Sequence, residues 1–348
     1  MSKDAEVAKQ ITQTFDNNLF SLREKYQYHW AARRYRVVRD GRFIQPIFAD
    51  YQKRILHYIP KIRKLGPFWT AKRAGLDILE TYEPNTPTKQ ARFEVYKKNP
   101  EILFYLNLMH FLFLTKTYEL EKLDGISKFY NKAVNHIKRS NFVKMLFNQE
   151  VVETNPSQVA NNTYYLSFLG IGDYEDRLLD LYKNFWLLKD PKDTLEWKSK
   201  IYALTHLIIG STHFYQRFVK RDKFLWVLQV FESSIGEIIE NTNVDIVAEV
   251  GLCFKLCQDE KNLAVEKAKE FVVSKFDKKR GFIPREENPD DLQKAEHRNA
   301  VSLLLLQDYE KLYPGPNLFE YLKENKRGLF LPKTGKYVGA EEDDALIS

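Results

Sequence analysis

The side chains best suited to chemistry lie on helical stripes, not in a contiguous motif. Read as one long helix at about 100° per residue, the stretch 201–219 and its lead-in place Lys198, Tyr202, Thr205, His206, His213, Gln216 and Arg217 on one side, with Leu204, Leu207, Ile208, Phe214 and Phe218 on the other. One face is core. The other gathers a tyrosine, an arginine and two of the chain's seven histidines, groups able to pass protons and to bind anions. A second stripe, Tyr26, His29, Arg33 and Arg36, runs along the first helical segment, opposite Ala31, Tyr35 and Val38. Glu249, His297 and Arg298 complete the candidates. Asp245, close to Glu249, has capping-box spacing from Thr242 and is assigned to the cap, as Asp173 is for the helix that follows it.

No complete catalytic signature accompanies these stripes. The chain holds no Gly-rich phosphate loop, no HExxH, no GxSxG and no paired CxxC, so neither a metal nor a cofactor is expected. His206 and His213, seven apart, would stand about 10 Å apart along a helix axis and would not share an ion. Cys253 and Cys257, in LCFKLC, read as two small buried hydrophobes. His110 sits in the run LFYLNLMHFLFL, apolar almost all round, and reads as a core histidine. With Asn107 it needs a hydrogen-bond partner there.

These residues are carried by a chain of 348 with 44% hydrophobic content and only 14 Gly and 13 Pro, which offers no linker at which to divide it. One domain over residues 1–325 is expected, with a tail over 326–348 that ends acidic. The net charge of +7 is concentrated, because residues 21–75 alone carry fourteen Lys and Arg against three acids. Such a stretch could attract a polyanion or form a solvated outer face. The opening MSKDAEVAKQ lacks the apolar region of an export signal, and no run of about 18 uncharged apolar residues occurs. The chain as written is expected to be soluble and cytoplasmic, or periplasmic if an export signal once preceded it.

Apolar positions recur at helical spacing throughout, and the fold class expected is all-α. Helical pairs are expected over 4–59, 101–147, 160–188, 194–240, 244–276 and 291–324, with 69–99 as an extra hairpin. About six pairs at a spacing near 45 residues suggest a closed ring or an open solenoid.

That hairpin rhythm, with FDKKRGFIP before a helix containing EHRNAV, resembles the alpha/alpha toroid superfamily. Within it, the segments YHWAARRYR, YALTH and EHRNAV are similar to a bacterial family known only as a domain of unknown function. The toroid resemblance implies an inner ring of helices whose polar stripes face a cavity, so that His29, Arg33, Arg36, Tyr202, His206, His213, Glu249, His297 and Arg298 converge. Toroid polysaccharide lyases pair Tyr and His for proton transfer with Arg for a uronate carboxylate. By that likeness His206 is the expected base, Tyr202 the acid, and Arg33 or Arg36 the carboxylate clamp, although no lyase motif matches residue by residue. A glycosidase variant would rest on Glu249. Binding, with or without cleavage, of an anionic polysaccharide or small anionic ligand is the leading reading. A non-catalytic protein interaction module is the alternative, and nucleic-acid binding through WAARRYRVVRDGRF comes last.

Overall fold

The computed structural model describes residues 2–67, 69–188, 194–331 and 337–338. The acidic end expected at 341–344 lies outside the described residues. The protein is all-α. Among the described residues the strands are limited to β1 (Leu329–Phe330) and β2 (Tyr337–Val338), which pair antiparallel. No described helix is long and apolar enough to cross a membrane.

The chain forms two compact units, the first from Met1–Ile47 and Leu179–Pro314, the second from Phe48–Leu178 and Gly315–Ser348. Two of the three division points fall inside helices, α3 (Ile44–Lys64) and α11 (Glu175–Leu188), and the third follows Pro314.

The first unit begins with α1 (Lys3–Asn17), whose N-cap Ser2 accepts from the Ala5 amide. α2 (Glu24–Val38) follows after a short 3-10 turn. Trp30 on α2 is fully buried, stacks on Phe15 of α1 with ring centroids 4.6 Å apart, and donates its indole N–H to Asp16 Oδ1 at 2.8 Å. This unit also holds most of α11, and α12 (Thr194–Ser211), α13 (Leu225–Asn241), α14 (Val244–Leu256), α15 (Leu263–Ser274) and α16 (Glu296–Leu306). α14, VDIVAEVGLCFKL, is apolar around most of its circumference and is accordingly wrapped by α12, α13, α15 and α16. Cys253 and Cys257 on it are free and buried. The FDKKRGFIP segment closes a tight turn in which Gly281 takes φ +74° and Asp277 bridges to Phe282.

The second unit holds α4 (Trp69–Leu79), α5 (Pro87–Lys98), α6 (Pro100–Thr117), α7 (Asp124–Arg139), α8 (Phe142–Leu146), α9 (Gln149–Thr154), α10 (Pro156–Phe168) and α17 (Leu318–Glu324). α6 packs against α4, α5, α7, α8 and α10, as its almost unbroken apolar sequence requires.

Four expectations about helix ends are corrected. Pro60 does not end α3 but lies inside it. Proline removes the amide that would bond the Leu56 carbonyl, and Leu56 is 42% exposed, so water can serve instead. The amphipathic helix expected over 126–147 breaks at Ser140, whose hydroxyl donates to the Ile137 carbonyl and accepts from the Phe142 amide. The loop expected at 148–157 contains α9, capped by Asn148. The long helix expected over 291–312 shortens to α16.

The largest departure is at the end of α12. The helix stops at Ser211, and His213, Phe214 and Tyr215 all take left-handed φ of 54°, 58° and 69°. Three such non-glycine residues in a row cost about 1–2 kcal/mol each. Thr212 supports the turn by accepting from the Tyr215 amide at 2.9 Å, and Arg217 donates twice to the Ser211 carbonyl at 3.1 and 3.0 Å. Strain of this kind concentrates at functional sites. Here it delivers Tyr215, buried, beneath Arg33.

Candidate functional site

Four helices of the first unit bring their polar residues together: α2 supplies His29 and Arg33, α12 Tyr202, Thr205 and His206, α14 Asp245 and Glu249, and α16 Glu296, His297 and Arg298. Spacing explains the local part. His29 and Arg33, Tyr202 and His206, and Asp245 and Glu249 are each four apart, one turn along a single helical face.

Two imidazoles form the centre. His297 Nδ1 lies 2.7 Å from Asp245 Oδ1, and His29 Nδ1 lies 2.8 Å from Glu296 Oε1. The two rings are 5.2 Å apart. His297 Nε2 stands 3.8 Å from Glu249 Oε1, whose other oxygen accepts from Thr205 Oγ1 at 2.8 Å. Arg298 steadies Asp245 at 3.2 Å while donating to the Pro284 carbonyl at 2.6 Å. Arg33 donates to the His29 carbonyl at 3.4 Å and covers the Tyr215 ring at 5.4 Å. Tyr202 and His206 meet edge to face, 4.5 Å between centroids. The cluster reaches solvent through His29 and His297, whose side chains are 27% and 37% exposed, while Glu296 and Glu249 beneath them are 1% and 2% exposed.

Burial dominates the electrostatics. It pushes Glu296 up to about 8 and raises Glu249, the latter against the opposing pull of His297 and of the Thr205 hydrogen bond. His206 falls to about 3 through burial, with His297 and Arg33 adding to the drop, and His29 is lowered well below its usual range by burial and then by Arg33. Tyr202 is raised well by burial and by Glu249. Burial would raise Asp245 too, but the hydrogen bond and charge of His297, then Arg298, outweigh it, and its carboxyl is lowered. Asp245 is thus the firm anion of the group, and Glu296 holds a proton at neutral pH.

A pH dependence of stability follows. Glu296 goes from 4.5 unfolded to about 8 folded, so its contribution is complete below 4.5 and is lost as pH rises through 8. His206 and His29 have depressed folded values, and their opposing contribution is already complete above 6.5. Stability is therefore expected to fall between pH 6.5 and 8, by up to about 1.4 kcal/mol per pH unit for one group. Calorimetric melting across that window should show the fall in the wild type and a shallower one in Glu296→Gln, because Glu249, also raised, remains; an equal fall in both would refute the assignment.

The remaining candidates lie elsewhere. Arg217 is exposed and occupied with the Ser211 carbonyl, and His213 belongs to the left-handed turn beyond α12. Arg36 is the exception: buried at 6% exposure on the His29 stripe, it stands near enough for its charge to help lower His29. Asp245 is not the cap expected of it. Asn243 caps α14, accepting from the Ile246 amide, and Thr242 donates backward to the Ile238 carbonyl, which frees Asp245 for His297. Glu296 and Tyr215 were not among the candidates; the Glu-His-Arg run at 296–298 was the one available sign of the first.

Of the fourteen basic residues at 21–75, at least four pair with carboxylates. Arg34 and Arg42 pair with Asp16, Arg54 with Asp50 and Arg73 with Asp77. Among the described residues no three His, Cys, Asp or Glu are arranged to hold a metal ion.

No curated protein and no solved structure matches the chain. A family model does, over residues 4–333, and it is described as a domain of unknown function (DUF3541). With nearly its whole length matched, the chain belongs to that family.

Proposed function

We propose that the four-helix cluster of the first unit binds the carboxylate of a uronate-containing glycan and moves a proton on it. The observation that carries this reading is the pair of imidazoles 5.2 Å apart, each fixed through Nδ1 by a carboxyl group, beside the Arg33 guanidinium. On His297 the Asp245 carboxylate accepts from Nδ1–H, which sets the tautomer and leaves Nε2 as the acceptor. His297, oriented by Asp245, takes the base's role in place of His206, because an imidazole held near 3 grips a proton too weakly for work at neutral pH.

The reaction class that fits is β-elimination. Arg33 pairs with the uronate carboxylate, which acidifies the adjacent C5–H. His297 Nε2 removes that proton, the C4–O bond breaks as the C4=C5 double bond forms, and Tyr202 O–H protonates the departing oxygen. The alpha/alpha toroid arrangement of helical pairs belongs to the same proposal, since lyases of that superfamily divide the labour in this way.

Incubation with alginate, polygalacturonate and hyaluronan, followed by ultraviolet absorbance of the unsaturated product, is the direct test. Arg33→Met should weaken binding of the responsive polymer tenfold to a hundredfold, about 1.5–3 kcal/mol for a lost charged hydrogen bond. Unchanged affinity in that variant would remove Arg33 from the reading. The interaction-module alternative has one observation of its own: Trp69 and Leu76, seven apart on one face of α4, are 66% and 37% exposed. It becomes the leading reading if no polyuronate is bound.

A further inference from the structure

α6 is apolar almost all round, yet its sequence breaks that pattern at Asn107 and His110. Asn107 is exposed and His110 half-buried, so these are not the enclosed core groups that the sequence suggested. Together with Leu103 and Leu106 they form one helical face, spaced i, i+3, i+4 and i+7, and that face lines a concavity of about 380 Å³ within the second unit. α10 contributes Gln158, Asn161 and Tyr165 at the same kind of spacing, and α5 contributes Arg92 and Tyr96. The polar crowding of α10 thus has a destination.

Aromatic rings and side-chain amides share the lining. Tyr165 stacks with His110, 5.9 Å between centroids at 21°. Tyr82 and Tyr96, also in the lining, meet edge to face at 5.9 Å. The Tyr96 hydroxyl is committed to Asn155 Oδ1 at 2.7 Å, so Tyr96 offers its ring and not its oxygen. Arg92 is tethered through Nε to the Thr154 carbonyl at 3.1 Å. Asn107 uses one amide hydrogen on the Leu103 carbonyl at 2.8 Å and keeps its oxygen as an acceptor for a ligand.

We propose that this concavity is a second binding site, for a single neutral polyhydroxylated ring such as a pyranose. Each hydroxyl is both donor and acceptor, and an amide answers both needs from one side chain. Aromatic walls suit the apolar C–H faces of such a ring, and the volume falls in the range of small-molecule pockets. The site stands independently of the cluster in the first unit, which asks for a carboxylate.

Saturation-transfer NMR and calorimetric titration of the full chain with D-glucose, D-galactose, N-acetyl-D-glucosamine and, as a contrasting flat ring, adenosine will test it. At least one of the three sugars is expected to bind at millimolar concentration or tighter. Asn107→Leu, which continues the apolar run of α6, and Gln158→Ala, at an exposed position, should each weaken that sugar at least about tenfold. Arg33→Met should leave it unchanged, so that failure here and failure of the polyuronate reading are told apart. No binding of any sugar, binding of adenosine alone, or sugar binding that survives both α6 and α10 substitutions would overturn the proposal.

Discussion

Asp245→Asn is expected to lower elimination of the responsive polyuronate by about 10²–10⁴-fold, the contribution of a well-placed general base. Asp245 holds two donors at once, His297 through Oδ1 at 2.7 Å and Arg298 through Oδ2 at 3.2 Å. Asparagine fills the same space with one acceptor and one donor group, so one of the two partners must face N–H with N–H. If His297 loses its acceptor, the ring is free to turn and to shift its proton to Nε2, which leaves no base toward the substrate. The mismatch should also cost about 1–3 kcal/mol in stability, because whichever of His297 and Arg298 meets the new amide N–H loses its acceptor. Initial rates, compared with thermal midpoints measured on the same preparations, separate the two effects. A rate within about twofold of wild type would show that His297 is not the base.

Gly75→Ala is expected to destabilise the second unit by about 3 kcal/mol or more, at the upper end of what overpacking costs. A Cβ built on Gly75 would sit 1.9 Å from the Pro100 carbonyl oxygen, 2.3 Å from its carbon and 2.9 Å from the Glu101 nitrogen. These are backbone atoms at the start of α6, not the flexible end of a side chain, so α4 and α6 would have to separate. Gly236, inside α13, meets nothing within 4 Å. Gly236→Ala is therefore expected to stabilise by about 0.5–1 kcal/mol. Denaturation monitored by circular dichroism should move the two variants in opposite directions. A Gly75→Ala protein as stable as wild type would mean that α4 does not approach α6 as closely as described.

The close crossing at Gly75 illustrates what local sequence leaves open. A glycine in RAGLD looks like a weak spot in a short helix, and nothing nearby in the chain says that Pro100 needs its missing side chain. The polar notch in α6 is the reverse case. Its position could be read from LFYLNLMHFLFL, but the surroundings of Asn107 and His110 depended on α5 and α10 arriving beside them.

The sequence by itself determined that this protein is built of helices, where most of them begin, which faces they bury, and that His29, Arg33, Tyr202, His206, Glu249 and His297 ride on polar stripes. Those properties depend on periodicity and capping within a few turns of chain, where the interacting residues are neighbours. Tertiary structure decided the partners. His29 meets Glu296 across 267 positions and Asp245 meets His297 across 52, distances over which helical period carries no information. It also decided the end of α12. A wheel continues past Ser211 without interruption, whereas the chain turns left-handed there, because Thr212 and Arg217 bond the last turn of the helix and the buried site beneath Arg33 takes the Tyr215 ring.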